Sequence, residues 1–85
     1  MFTLKLFADH ANSVHLVEAD NFSVHWNEGK HGATITAHFS KMDKRYFIGD
    51  ILRDVSAADY DWAVIENSNG KTTERLVPTI RAKVA

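Results

Sequence analysis

The chain has 85 residues, which is the size of one small domain spanning residues 1–85. Hydrophobic residues make up 45% and charged residues 25%, a composition typical of a folded domain and not of a disordered chain. The absence of cysteine excludes disulfides, thiolate zinc sites and iron–sulfur clusters. A net charge of −1 lacks the basic excess of duplex-binding proteins, so we expect no duplex nucleic acid as a partner.

The sequence also predicts a location. No run of roughly 18 consecutive apolar residues occurs, so we expect neither a membrane span nor a membrane partner. The first ten residues lack a basic segment followed by a long apolar core, so we expect no secretory signal. These features predict a cytoplasmic protein.

The first half of the chain alternates apolar and polar residues with the period of a half-buried strand. The short polar loop 19–21 predicts a hairpin between the second and third strands, with Leu16 opposite Val24 on the apolar face. Consecutive antiparallel pairing would then produce a meander. The predicted strands cover residues 2–7, 14–18, 22–26 and 33–39.

The second half is less regular, but it contains the strongest hairpin signal of the chain. Asn69 and Gly70 lie between two β-prone runs, 61–67 and 71–77, and this dipeptide favours a type I′ turn. Further candidate elements are a strand over 45–48, a short helix over 50–58 and a last strand over 80–84. We therefore predict a mainly β fold: a small antiparallel barrel or sandwich of six to seven short strands, with room for one short helix.

Most catalytic and ligand motifs fail when they are tested on this sequence. Gly70 and Lys71 resemble the end of a phosphate-binding loop, but the glycine required five positions earlier is Ile65. The pair Asp59 and Asp61 cannot by itself supply the six oxygen ligands of a divalent-cation site. No serine lies in a recognisable triad motif, so we predict no catalytic residue and a protein that is not an enzyme.

The histidines provide the one candidate metal site. The registers that best align the apolar residues place His15 opposite His25, and His38 opposite Ser23. Three imidazoles on one face would form an open zinc site that can activate water. The alternative is a polar outer face on which these histidines bind nothing.

Aromatic and basic residues are the candidates for contact with a partner. Tyr46 and Tyr60 lie beside charged residues, as interface tyrosines often do. The segment 71–85 has four basic residues and one acidic residue, and it predicts a basic sheet edge that attracts an acidic partner. The candidate partner-binding residues are Tyr46, Tyr60, Arg75, Arg81 and Lys83. Alternation assigns the other large aromatic residues mostly to the core: Phe2, Phe22, Trp26, Phe39, Phe47 and Trp62.

Residues 62–76, WAVIENSNGKTTERL, resemble the C-terminal hairpin of small proteins from bacteriophages and prophages. The opening residues MFTLKLF also resemble the start of such proteins. This resemblance implies a phage-encoded protein that binds a host protein or takes part in the virion.

We therefore predict a non-enzymatic protein-binding module without a cofactor. It would inhibit a host protein or join an assembly, and its sheet edges favour self-association as well. The alternative is a histidine-coordinated zinc protein, in which the metal is either structural or hydrolytic.

Overall fold

The computed structural model describes residues 1–8, 11–49 and 60–78, which form a β-sandwich of two antiparallel sheets. The mainly β prediction is confirmed, and the sheets do not close into a barrel. Apart from one 3₁₀ turn at Glu28–Lys30, these described ranges contain no helix, and hence none that is suited to cross a membrane. The strands are β1 Phe2–Ala8, β2 Ser13–Ala19, β3 Asn21–Trp26, β4 Gly32–His38, β5 Asp43–Gly49, β6 Trp62–Glu66 and β7 Thr72–Leu76.

The strand order places β1 near the centre of the larger sheet. That sheet has the order β2-β1-β6-β7, and the smaller one has the order β3-β4-β5. The predicted hairpin between β2 and β3 is wrong, because β2 pairs along its whole length with β1. Asp20 is a corner between the sheets, and its backbone N–H donates to the carbonyl oxygen of His38 at 3.1 Å.

The smaller sheet has the predicted strands in a shifted register. Val24 pairs with Ile35, two residues from the register that the apolar pattern predicts. A shift of two keeps every side chain on its face, because side chains alternate with a period of two. The connecting loop closes where the backbone N–H of Asn27 donates to Gly32 at 2.8 Å.

The core lies between the two sheets and is entirely aliphatic apart from Tyr46. Leu4 and Leu6 of β1 and Ile35 of β4 are fully buried at its centre. Phe2, Phe22, Trp26 and Phe39 pack around it, as predicted. The remaining buried members of the cluster are Val17, Ala19, Ala33, Ala37, Tyr46, Ile48, Ala63, Ile65 and Leu76.

Two aromatic residues that the sequence assigns to the core lie outside it. In β6, Ala63 and Ile65 point inward, so the alternation places Trp62 on the outer face. In β5, Tyr46 and Ile48 point inward, which leaves Phe47 41% exposed. The core prediction is therefore wrong for Trp62 and Phe47.

The β6–β7 hairpin is confirmed, but its turn differs from the predicted type I′. Gly70 has φ 80°, whereas Asn69 has no positive φ. The turn is fastened by Asn67, whose side-chain oxygen accepts the backbone N–H groups of Asn69 at 2.9 Å and Lys71 at 3.0 Å. The ladder shifts register next to Glu66, as expected for a type I turn followed by a glycine bulge. The predicted helix 50–58 and strand 80–84 lie outside the described residues.

Two glycines with positive φ provide a matched test of packing. An added Cβ at Gly49, φ 70°, would lie 2.6 Å from the His31 carbonyl oxygen and from Pro78, whereas at Gly70 it would meet nothing. Gly70→Ala should cost about 1–2 kcal/mol of unfolding free energy through backbone strain alone. Gly49→Ala should cost a further ~1–3 kcal/mol from overpacking. Urea unfolding of both variants checks this, and equal losses would contradict the close approach at Gly49.

Candidate functional site

The outer face of the larger sheet carries a contiguous apolar surface. Phe7 pairs with Val14 on one side and with Trp62 on the other, and all three point outward. In the next outward row, Lys5 pairs with Leu16 and Val64. We call the five apolar members the outer patch: Phe7, Val14, Leu16, Trp62 and Val64.

The β2 part of the outer patch is the most exposed. Val14 is 53% and Leu16 is 59% exposed. The sequence places Leu16 on the apolar inner face, but Val17 and Ala19 are the inward residues of β2. The inward side of β1 selects this orientation, since Val17 pairs with the buried Leu4. Pairing with β1 therefore turns two aliphatic side chains toward solvent.

A stack of planar groups lies at the centre of the outer patch. The rings of Phe7 and Trp62 are parallel within 5°, with centroids 3.8 Å apart. The guanidinium carbon of Arg75 lies 5.6 Å from the centroid of Trp62, within the range of a cation–π contact. Arg75 belongs to β7, the edge strand of this sheet. Of the predicted partner-binding residues, Arg75 thus lies beside the outer patch.

Charged residues border the outer patch unevenly. Lys5 and Glu66 form an ion pair of 3.2 Å and neutralise each other across β1 and β6. Glu18 lies on the outer face of β2, and Arg75 lies on β7 at the opposite edge. The β2 side of the face is therefore acidic and the β7 side is basic.

The two predicted partner-binding tyrosines are not presented to solvent as interface residues would be. Tyr46 is only 8% exposed because the alternation of β5 turns it into the core. Tyr60 packs partly against the core and bridges the sheets: its carbonyl oxygen accepts the N–H of Gly49 at 2.9 Å. His15 has its ring about 6 Å from both tyrosine rings (6.1 Å and 6.0 Å). Arg81 and Lys83 lie outside the described residues.

The three histidines of the predicted zinc site are not brought together. His15 pairs with Leu6 in the larger sheet, so the predicted opposition of His15 and His25 is wrong. His25 and His38 share the outer face of the smaller sheet but lie on rows roughly 13 Å apart along the strands, at about 3.3 Å per residue. No group of three metal-ligating side chains occurs within residues 1–8, 11–49 and 60–78.

A hydrogen-bonded chain of three polar side chains crosses the outer face of the smaller sheet. The Ser23 hydroxyl lies 2.6 Å from His38 Nε2, and His38 Nδ1 lies 3.0 Å from Asp43 Oδ1. One tautomer satisfies both contacts: Nδ1–H donates to the carboxylate, and Nε2 accepts from the hydroxyl. Sequence reasoning placed His38 beside Ser23 but missed Asp43, because it began the fifth strand at Arg45.

An open depression of about 420 Å³ lies beside the β4–β5 turn. Its lining includes Met42, which is 61% exposed, and the Lys44 ammonium, which lies 5.5 Å from the Tyr46 ring centroid. A depression this open does not enclose a ligand as small-molecule sites do. It provides no candidate site of its own.

The fold and its faces define a small two-sheet antiparallel β-sandwich with one apolar and one polar outer face. No protein-family model matches the chain, and no curated protein or solved structure is significantly similar to it. The resemblance of residues 62–76 to bacteriophage proteins therefore stays a prediction.

The separation of the histidines predicts that zinc does not stabilise the protein. A ligand that binds only the folded state at 100 times its dissociation constant adds about 2.7 kcal/mol of stability. We expect the melting temperature to stay unchanged when zinc is added to metal-free protein, because His15, His25 and His38 do not converge. Calorimetry with zinc, and with magnesium as the control, checks this. A rise in melting temperature that His15→Ala and His38→Ala each abolish would contradict it.

Proposed function

We propose that the chain is a protein-binding module, that the outer patch is its docking surface and that a second copy of the chain occupies it. The contrast between the two outer faces carries the proposal. The smaller sheet covers its outer face with polar side chains and exposes one large apolar residue, Phe47. The larger sheet exposes Val14 and Leu16 beside the stacked rings of Phe7 and Trp62.

Scattered apolar residues are normal on protein surfaces, but a contiguous rimmed patch is typical of a docking site. The outer patch is continuous, since its members are directly paired across β2, β1 and β6. Val77, which follows the inward Leu76 and is 58% exposed, extends the apolar surface at the end of β7. Such a surface loses unfavourable contact with water when a partner covers it.

The distribution of charge favours a second copy as the partner. In a face-to-face dimer with its twofold axis along the strands, β2 of one copy lies over β7 of the other. This arrangement brings Glu18 of each copy toward Arg75 of the other, while the Phe7–Trp62 stacks meet at the centre. The interface is isologous, so each favourable contact occurs twice.

The size of the face predicts a weak association. Four strands about 4.8 Å apart and seven residues of about 3.4 Å each give a face of roughly 19 by 24 Å. That is smaller than the ≈800 Å² per partner of a standard interface. We therefore expect a dissociation constant in the micromolar range, with exchange between monomer and dimer. Phage origin is part of the same proposal, and a host or virion protein on the outer patch, in place of a second copy, is the alternative that a strictly monomeric chain would favour.

Removal of the exposed Leu16 side chain should weaken the dimer without destabilising the fold. Leu16→Thr keeps β-propensity and removes an apolar contact of about 1.5 kcal/mol from each copy, so the twofold dimer loses about 3 kcal/mol and associates about a hundredfold more weakly. Phe47→Thr is the matched control, because it removes an exposed apolar group from the other outer face. Sedimentation velocity over a concentration series measures both variants. A wild-type chain that remains monomeric up to millimolar concentration would overturn the second copy as occupant.

A charge exchange tests the orientation of the two copies. Glu18→Arg and Arg75→Glu should each weaken the dimer by opposing like charges, whereas the double variant should restore most of the association. Added salt should weaken the wild-type dimer by screening its attractive charge pairs, and it should strengthen the single variants by screening their repulsion. The Debye length falls from about 10 Å at 0.1 M to about 3 Å at 1 M. No recovery in the double variant would contradict the axis along the strands.

A further inference from the structure

We propose that Ser23 is a base-activated nucleophile, with His38 as its general base and Asp43 as the residue that positions the imidazole. The two contacts, 2.6 Å from Ser23 Oγ to His38 Nε2 and 3.0 Å from His38 Nδ1 to Asp43 Oδ1, give the serine, histidine and aspartate the connectivity of a hydrolase triad. This inference goes beyond the proposed docking function, and it uses the other sheet.

The strand pairing places the three groups on one face. His38 pairs with Asn21 on β3 and with Asp43 on β5, so the carboxylate is its direct cross-strand neighbour. Ser23 points to the same face two residues after Asn21 and lies diagonal to His38. Each side chain is carried by a paired strand, which fixes its direction better than a loop does.

The histidine is accessible while it is held from two sides. The His38 side chain is 36% exposed and the Asp43 side chain is 60% exposed. The titratable groups on this outer face are His25 on β3, His38 on β4, and Asp43 and Arg45 on β5. A reagent therefore reaches Ser23 from solvent without any movement of the described strands.

The arrangement supports acyl transfer in two balanced steps. Ser23 Oγ attacks the carbonyl carbon of an ester while its proton passes to His38 Nε2, and the leaving alkoxide departs with that proton as the alcohol. Water then attacks the acyl-serine and gives a proton to His38. The carboxylic acid leaves, and the Ser23 hydroxyl is regenerated with the proton from His38.

The open face indicates the class of substrate. Flat, hydrated sites stabilise an oxyanion far less than a buried hole does, so esters with good leaving groups are the fitting substrates. Thr36 pairs directly with Ser23, and Arg45 lies next along the same row. These two side chains bring a hydroxyl donor and a positive charge to the row of the sheet that carries Ser23. Activated aryl esters and fluorophosphonates are the reagents that this site should accept.

The experiment is labelling of the full chain with a fluorophosphonate, followed by peptide mass spectrometry. Ser23 should react while the exposed Ser40 and Ser68 of the same chain stay unlabelled. A positioned general base contributes 10²–10⁴-fold, so His38→Ala should lower the labelling rate about 100-fold. Asp43→Asn should lower it about tenfold, because the imidazole loses its fixed tautomer.

His25→Ala is the matched control. His25 lies on the same strand and the same face as Ser23, but it is not part of the hydrogen-bonded chain of Ser23, His38 and Asp43. Its labelling rate should equal that of wild type. Circular dichroism and the melting temperature establish that each variant is folded, and His38→Gln replaces any His38→Ala protein that is not. Equal labelling of Ser23, Ser40 and Ser68, or less than about a threefold loss in His38→Ala, would overturn the proposal, because general-base catalysis would then be absent.

Discussion

The structure depends on the pairing of β1 with two partners at once. β1 contributes Leu4 and Leu6, both fully buried, and it pairs with β2 on one side and β6 on the other. Each of these leucines contributes about 1.5–3 kcal/mol through burial, a large share of the stability of so small a chain. Because β1 is fixed with this face inward, the inward and outward residues of both neighbours are fixed as well.

This constraint explains why the outer surface of the larger sheet is apolar. Val17 and Ala19 must point inward beside Leu4 and Phe2, so Val14 and Leu16 point outward. The same logic turns Trp62 outward, because Ala63 pairs with Leu6. The outer patch is therefore the other side of the core pairing, and the parallel rings of Phe7 and Trp62 pack against each other at its centre.

The two outer faces have different chemistry because each is formed by a different set of strands. The smaller sheet carries hydroxyl, imidazole and carboxylate groups on neighbouring strands, and their hydrogen bonds form on an accessible surface. In such a place a serine contacts both an imidazole and solvent, whereas a buried serine would be shielded from solvent. The larger sheet pairs its charges locally, as Lys5 and Glu66 do, and leaves the aliphatic groups exposed. One small sandwich thus offers two separate surfaces with unrelated chemistry.

The sequence by itself determined the strands and the position of the Asn69-Gly70 turn, because alternation and turn chemistry act over a few neighbouring residues. Only the tertiary structure decided which strand pairs with which. In β2, apolar residues occur at both odd and even positions, so Val14 and Leu16 look as suited to the core as Val17 does. The choice between them depends on the apolar area that β2 buries when it pairs with β1. The residues of β2 alone do not show that pairing. The contact of Asp43 with His38 was likewise set by the β4–β5 register, since pairing across strands is a property of the assembled sheet.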